Sequence, residues 1–216
     1  MIAFIFAGAP GAGGLPRHRE VLKKGNLIIA VDSGAHYCQE VNLLPHVLIG
    51  DFDSISPNLL QKYSAQDVEC IAYPRQKNET DLELALDLAM ARGTKEIRLW
   101  GAIGGRWDMS FSNILLAAHP KYKKMHLSLF DAACSFEIIH CGKTYTLTDD
   151  PGQRVSLLPL AGNAEKVTLN GFTYPLQNET LQFGTSRGIS NILESERATI
   201  YLERGILLCI RNLGSD

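Results

Sequence analysis

The stretch Val47-Leu48-Ile49-Gly50-Asp51-Phe52-Asp53-Ser54 decides how the first part of this chain is interpreted. Its apolar beginning predicts a buried strand, and Gly50 allows the backbone to leave that strand sharply. If the backbone stays extended, Asp51 and Asp53 point to the same side, roughly 6–7 Å apart. Two such carboxylates repel each other unless a cation lies between them, and hard oxygen ligands suit Mg²⁺. The stretch therefore predicts a magnesium site, with a simple turn as the alternative.

Similar apolar runs before and after this stretch predict an N-terminal α/β domain over residues 1–133. Near-continuous apolar runs indicate strands that are covered on both faces, as in a parallel sheet. Helical spacing of apolar residues predicts a helix around residues 82–90, and a second helix is predicted at 113–118, before Pro120. The predicted strands lie at 2–7, 27–31, 47–49, 68–73, 96–100 and 126–130.

After residue 133 the pattern changes to short β-rich runs separated by turn signals such as Asp150-Pro151-Gly152 and Asn170-Gly171. This pattern predicts a C-terminal all-β sandwich domain over residues 134–216. Residues 199–208 are predicted to form a hairpin. The other predicted strands lie at 136–141, 143–147, 154–160 and 166–169.

The composition is that of an ordinary soluble globular protein. The 216 residues are 45% hydrophobic and carry a formal net charge of −2, which gives no sign of a nucleic-acid or membrane surface. No apolar run approaches the roughly 20 residues of a transmembrane helix, and the first residues predict a strand rather than a signal peptide. The five cysteines are scattered and form no Cys-x-x-Cys pair. We therefore expect reduced thiols, no structural zinc and a cytoplasmic location.

Polar or glycine-rich segments follow three other predicted strands. The segment 6–14 contains glycines that let backbone N–H groups approach a phosphate, or it is a flexible loop. Asp32 faces the same cleft as Asp51, because ligands bind at the carboxyl ends of strands in open α/β sheets, or it caps the next helix. Arg106 follows two glycines and is placed to meet a phosphate, and Asp108 either caps a helix or joins the site.

The segment that contains Lys77, Thr80 and Asp81 has both a structural and a functional interpretation. Thr80 and Glu83 have the spacing of a capping box, and Asp81 suits the first turn of a helix. In the functional interpretation, Lys77 neutralises a phosphate and Asp81 is a further metal ligand. In the β-domain, Tyr174 either stacks on a flat ring or simply packs.

Taken together, these blocks resemble the thiamine pyrophosphokinase family. The matching stretches are Asp32-Ser33-Gly34-Ala35, Gly50-Asp51-Phe52-Asp53-Ser54, Lys77-Asn78-Glu79-Thr80-Asp81, Gly104-Gly105-Arg106-Trp107-Asp108 with Asn113, and Gly188-Ile189-Ser190-Asn191. The resemblance implies an α/β domain followed by a β-sandwich, in a homodimer with each active site between subunits. It also implies that thiamine and ATP are the substrates and that a pyrophosphoryl group moves from ATP to the thiamine hydroxyl, releasing AMP.

The resemblance assigns roles to the matching residues of the α/β domain. It implies that Mg²⁺ is bound by Asp51, Asp53 and Asp81, with Asp32 as a further member. It implies that nucleotide and phosphate are contacted by Lys77, Thr80, Arg106 and Asp108, with Arg106 also among the catalytic residues.

In the β-domain, the resemblance implies that Ser190 and Asn191 contact thiamine and reach the other subunit's nucleotide, with Tyr174 near the same pocket. One departure is visible, because Met109 stands where the family commonly has His or Gln. The alternatives are a non-catalytic sensor of thiamine or nucleotide, and another Mg²⁺-dependent nucleotide-using transferase. The several mutually repelling carboxylates argue against a sensor, which has no need of them.

Overall fold

The computed structural model describes residues 1–10 and 25–213, which form two compact units. The first, called here the α/β unit, comprises Met1–Leu116 and Lys124–Ala132. The second, called the β unit, comprises Ala117–Lys123 and Ala133–Asp216. Within the described residues, no helix is both long enough and apolar enough to cross a membrane.

The α/β unit is built on parallel strands in the order β6-β5-β1-β2-β3-β4. The structure confirms all six predicted strands to within one residue at either end. Their apolar runs form strands because both faces are covered, and every residue of β2 and β3 is buried. The strands are β1 (Ile2–Phe6), β2 (Leu27–Val31), β3 (Val47–Gly50), β4 (Glu69–Ala72), β5 (Glu96–Trp100) and β6 (His126–Phe130).

Helices connect these strands, and two of them begin with a side-chain capping hydrogen bond. The hydroxyl of Ser56 accepts a hydrogen bond from the Leu59 N–H at the start of α2, and Thr80 does the same for Glu83 in α3. The last long helix begins at Trp107, six residues before the predicted start at Asn113, because its first turns mix polar residues with exposed apolar ones and show no buried apolar pattern. The helices are α1 (Gly34–Glu40), α2 (Pro57–Ser64), α3 (Asp81–Ala91) and α4 (Trp107–Ala117), followed by a 3₁₀ turn at Pro120–Tyr122.

The β unit is a sandwich of two antiparallel layers. One layer has the order β12-β9-β14-β7 and the other the order β11-β10-β13-β8. Buried side chains such as Val155 and Leu207 of the first layer share one core with Leu169 and Ile200 of the second. The strands are β7 (Cys134–His140), β8 (Tyr145–Thr148), β9 (Arg154–Pro159), β10 (Ala164–Asn170), β11 (Leu176–Leu181), β12 (Asn191–Ile192), β13 (Arg197–Tyr201) and β14 (Ile206–Asn212).

The predicted hairpin at 199–208 is wrong, although both of its strands exist. Strand β13 pairs with β8 and β10, whereas β14 pairs with β7 and β9 in the other layer. The chain crosses between the layers because Leu202 is fully buried and Gly205 adopts a φ of 96°. A Cβ at Gly205 would lie 2.6 Å from the Asn163 carbonyl oxygen, so only glycine fits this crossing.

Candidate active site

A cleft of about 470 Å³ lies at the carboxyl ends of five strands of the α/β unit. This is where open parallel sheets bind ligands, because the chain reverses its direction of travel across the sheet beside β1. Five segments line the cleft: residues 7–10 after β1, 31–33 after β2, Asp51 after β3, residues of 75–82 after β4, and residues of 101–113 after β5.

Six of the predicted site residues line this cleft: Asp32, Asp51, Lys77, Thr80, Asp81 and Arg106. Two others stand just outside the lining, and each forms an ion pair with an arginine that belongs to it. Asp53 Oδ2 is 3.5 Å from Arg75 Nη2, and Asp108 Oδ2 is 2.5 Å from Arg106 Nη2. Of the glycine-rich segment 6–14, residues 7–10 line the cleft, and residues 11–14 lie outside the described part of the chain.

The predicted extended course of residues 51–53 is wrong. Phe52 adopts a φ of 62°, in the left-handed region, and the backbone therefore turns immediately after Asp51. The Asp51 carboxylate accepts a hydrogen bond of 3.0 Å from the Asp53 N–H, which is a side-chain-stabilised turn. Asp51 lines the cleft, whereas the Asp53 side chain, which is 49% exposed, forms an ion pair with Arg75.

Asp32 is held in a strained and partly desolvated position. Its φ is 44°, and its Oδ1 accepts a 3.3 Å hydrogen bond from the Phe52 N–H. Gly50 makes room for it, since a Cβ at Gly50 would lie 1.9 Å from Asp32 Oδ1. Burial, followed by the negative charges of Asp81 and Asp51, raises the pKa of Asp32 to about 7.

The alternative prediction, that the Asp32 side chain caps α1, is wrong. The N-cap of α1 is Ser33, and no side chain there accepts a capping hydrogen bond. The Asp32 carboxylate instead bonds across to the backbone that follows β3. The side chain of Asp32 is therefore a cleft-facing acid rather than a local helix cap.

Lys77 and Asp81 form the most enclosed ion pair of the cleft. Lys77 Nζ lies 2.9 Å from Asp81 Oδ1, and the two side chains are 11% and 18% exposed. That oxygen is buried and accepts no well-aligned hydrogen bond from the described residues, so the contact is one of charge alone. Thr80 starts α3 by capping Glu83 N–H, which confirms its structural role.

Two side chains hold the glycine turn carrying Arg106, and sequence reasoning missed Ser110 and quoted Asn113 only as part of the resemblance. Ser110 Oγ accepts a 3.0 Å hydrogen bond from Gly104 N–H and donates to the Arg106 carbonyl, also at 3.0 Å. The buried Asn113 amide donates to the Ala102 carbonyl at 2.8 Å. Both residues lie on α4, three positions apart and therefore on one face of the helix, which was the available signal.

A second cavity, of about 410 Å³, lies in the β unit and contains two of the three predicted thiamine-side residues. Tyr174, 64% exposed, and Asn191 line it together with Arg187 and Ile189. Asn191 is buried, and its amide bonds to both the N–H and the carbonyl of Tyr174, at 3.0 and 2.8 Å. Asn191 thus fixes the backbone that presents the Tyr174 ring.

Ser190 does not line this second cavity. It is exposed, has a φ of 56°, and its N–H donates to Ser156 Oγ at 3.0 Å. The strained turn at Ser190 leads directly into β12, so it sets the position of Asn191. Its role in binding thiamine stays a prediction.

Both units match known protein families over most of their length. The profile of the thiamin pyrophosphokinase catalytic domain matches residues 18–129, and that of the thiamin pyrophosphokinase vitamin B1 binding domain matches residues 139–207. The chain belongs to the thiamin pyrophosphokinase family. It is 32% identical to the thiamine pyrophosphokinase of Bacillus subtilis (strain 168) over 187 residues, or 86% of this chain and 87% of the relative.

Solved structures of the thiamin pyrophosphokinase family share the whole fold. The crystal structure of the Bacillus subtilis enzyme has a TM-score of 0.88 and 29% identity, covering 98% of this chain and 99% of that one. The Geobacillus thermodenitrificans thiamin pyrophosphokinase has a TM-score of 0.87 and 32% identity, covering 100% and 99%. The predicted family and the predicted order of an α/β domain before a β-sandwich are therefore confirmed.

The acidic residues of the cleft suit a hard divalent cation, although they form no complete protein cage. Within residues 1–10 and 25–213, no three acidic, histidine or cysteine side chains are grouped as a full metal site. Magnesium does not need one, since it usually takes one or two carboxylates, several waters and substrate phosphates. Asp81 Oδ1 already contacts the Lys77 ammonium, and the charges of Asp81 and Asp51 add to burial in raising the pKa of Asp32, so this part of the cleft favours positive charge.

Proposed function

We propose that this chain transfers the pyrophosphoryl group of ATP to the hydroxyl of thiamine, giving thiamine diphosphate and AMP. The observation that carries the proposal is the convergence of Asp32, Asp51 and Asp81 with Lys77 and Arg106 in one cleft at the carboxyl ends of the strands. The convergence lies within the segment that matches the thiamin pyrophosphokinase catalytic domain. We extend the assignment to residues 1–133 as the catalytic part and 134–216 as the thiamine-binding and dimerisation part.

Magnesium is the cation that fits the proposed site. We assign it to Asp51, Asp53 and Asp81, with Asp32 beside them, where it would screen the charge of the triphosphate. Lys77 lies in the cleft wall beside Asp81. Its ammonium neutralises part of the Asp81 charge that a bound metal cation would also neutralise. Replacing the Lys77–Asp81 contact by a metal–carboxylate contact would release the ammonium toward a phosphate.

The remaining residues act by position and charge. The glycine turn before α4 ends at Arg106, whose planar guanidinium suits phosphate oxygens. Hydrogen bonds with Ser110 and Asn113 hold that turn in place. The N–H groups of residues 7–10 are candidates to contact phosphate oxygens, because this segment ends β1 at the cleft. Phosphoryl transfer needs mainly such alignment and electrostatic stabilisation, so no nucleophilic side chain is required.

We place thiamine at the cavity of the β unit, with Tyr174 as the stacking surface. Asn191 holds the backbone of Tyr174, whose ring is exposed, and the cavity lies in the segment that matches the vitamin B1 binding domain. We also assign Ser190 and Asn191 to thiamine binding. A flat pyrimidine ring gains dispersion energy against such an aromatic face.

We also propose a homodimer whose active sites lie at the subunit interface. Three large apolar side chains, Trp107, Phe111 and Leu115, form one exposed stripe along α4, immediately after Arg106. Such a stripe is typical of a surface that another protein covers. A cytoplasmic location is supported by the five cysteines, which form no disulfide within the described residues.

Product analysis tests the proposed reaction. Purified protein with ATP, Mg²⁺ and thiamine should release AMP and thiamine diphosphate in equal amounts, and each omission should stop both products. Thiamine or nucleotide binding without AMP release would favour a sensor. Pyrophosphate release instead of AMP would indicate a different transferase.

Asp51→Asn should lower turnover by about a hundredfold or more while the melting temperature is retained, because it removes a proposed metal ligand at the cleft. Asp150→Asn, at an exposed site in the β unit, is the control and should turn over like the unmodified protein. Near-normal turnover in Asp51→Asn would refute the metal assignment.

A further inference from the structure

Three cations line the cleft of the α/β unit, and two of them already contact carboxylates closely. Lys77 Nζ is 2.9 Å from Asp81 and also donates to the Pro74 carbonyl at 3.2 Å. Arg106 makes two contacts with Asp108, at 2.5 and 3.2 Å. The Lys77 pair is enclosed, whereas the Arg106 and Asp108 side chains are 75% and 65% exposed, so Arg106 is closely paired but still open to solvent.

Arg75, the third cation, is held much more loosely. Within residues 1–10 and 25–213 its ion-pair partner is Asp53, at 3.5 Å, which is too long for a strong hydrogen bond. The side chains of Arg75 and Asp53 are 81% and 49% exposed, so water screens their attraction. Arg75 can exchange Asp53 for another anion at little cost.

We propose that Arg75 binds the transferring pyrophosphoryl group, that is, the β- and γ-phosphates of ATP. The inference rests on the proposed function, because it takes ATP as the ligand of this cleft. Asp53 is one of the proposed magnesium ligands, and a magnesium ion held there would screen the charge of the β- and γ-phosphates during the transfer. A guanidinium within ion-pair distance of Asp53 therefore lies beside those phosphates, and its planar fork matches phosphate oxygens.

The charge of the cleft wall supports this role. Four acidic residues line the cleft, namely Asp32, Asp51, Glu79 and Asp81. Beside the closely paired Lys77 and Arg106, Arg75 adds the most loosely held positive charge of the lining for an incoming polyanion. Arg75 thus distinguishes ATP from AMP, which lacks the phosphates that it binds.

Titration calorimetry with the full chain tests the inference. In the presence of Mg²⁺ and without thiamine, Arg75→Gln should raise the Kd for ATP about tenfold or more, because it removes charge-assisted hydrogen bonds. The Kd for AMP should change by less than about twofold. Arg75→Lys should recover part of the ATP affinity, since it restores the charge without the fork. In turnover, the change should appear mainly in the KM for ATP.

Arg204→Gln is the matched control. Arg204 is also an exposed arginine, paired with Glu165 at 3.3 Å, and it belongs to the β unit outside both cavities. It should bind ATP like the unmodified protein, and all three variants should keep the melting temperature. An unchanged ATP affinity in Arg75→Gln would overturn the inference, and so would an equal loss of ATP and AMP affinity. If the unmodified protein released no AMP, the proposed function would fail, while the calorimetric comparison would still decide the role of Arg75.

Discussion

Asp32 is a single cleft residue whose backbone conformation and partly buried carboxylate both destabilise the folded state. Its backbone is in the left-handed region, its carboxylate is partly buried, and Asp81 and Asp51 lie close enough to raise its pKa to about 7. In the unfolded chain the same carboxyl titrates near 3.8. Between these values the folded state holds a proton that the unfolded state has lost. The contribution of Asp32 to stability is therefore fully present below about pH 4 and is lost as the pH rises through about 7.

Asp32→Asn should raise the melting temperature of the protein at pH 8 in the presence of EDTA, by about 2–4 °C. The amide keeps the shape of the side chain without the buried charge, and turnover with Mg²⁺ should fall. The gain should shrink toward pH 5, where Asp32 is already protonated. Scanning calorimetry over this pH range measures it, with Asp150→Asn as a control at an exposed site. A lower melting temperature at pH 8 would mean that the Phe52 hydrogen bond outweighs burial and repulsion.

Within the elements of the β unit, a buried ion network joins the two layers of the sandwich. Arg211 on β14 contacts Glu137 on the neighbouring β7 at 2.5 Å and Asp149, just after β8, at 2.9 Å. The Glu137 side chain is 4% exposed, and Arg211 is 17% exposed. Among the described residues, the buried Arg211 Nε has no hydrogen-bond partner. The hydrogen-bonding groups of the network are therefore not all satisfied. The buried Glu137 carboxylate is stabilised by the positive charge of Arg211.

Arg211→Met should lower the free energy of unfolding by about 3–5 kcal/mol, because the buried Glu137 carboxylate loses its ion pair with Arg211. The double variant Glu137→Leu with Arg211→Met should recover most of that loss, since Asp149 can remain solvated. Denaturant titration measures both. Arg204→Met, at an exposed pair in the same unit, should cost no more than about 1 kcal/mol. Equal losses for Arg211→Met and Arg204→Met would show that the network contributes nothing beyond a surface pair.

For the whole molecule, the exposed stripe on α4 is the feature that a single chain leaves unexplained. Trp107 is 84% exposed and Phe111 60%, so this helix presents its largest side chains to solvent. These residues closely follow Arg106 in the chain. The proposed homodimer would cover them and bring a second subunit next to the nucleotide cleft.

Phe111→Glu should raise the dimer dissociation constant at least about tenfold, because it places a charge in an apolar interface. Light scattering coupled to size exclusion should show a shift from two chains toward one, with a parallel loss of turnover at low protein concentration. Leu44→Glu is the control, as Leu44 is 47% exposed and lies outside α4. A Phe111→Glu protein that remains a full dimer would exclude this stripe from the interface.

The sequence by itself determined the elements of the fold and much of the cleft. The six parallel strands could be predicted because burial on both faces requires continuous apolar runs, as in β2 and β3. Their carboxyl ends meet at one edge, so Asp32, Asp51, Asp81 and Arg106 could be expected near one another. Strand β11 was missed because only its two end residues, Leu176 and Leu181, are buried.

The tertiary structure decided what depends on contacts between distant residues. Gly50 and Phe52 shape the surroundings of Asp32, which lies some twenty residues earlier in the chain. The separate layers of β13 and β14 follow from their partners and from the crowding at Gly205, neither of which is encoded in the local pattern. The division of the cations into closely paired Lys77 and loosely paired Arg75 follows from distances and exposure alone. Local composition fixes which residues are buried, whereas charge pairing and layer order are set by what the folded chain brings together.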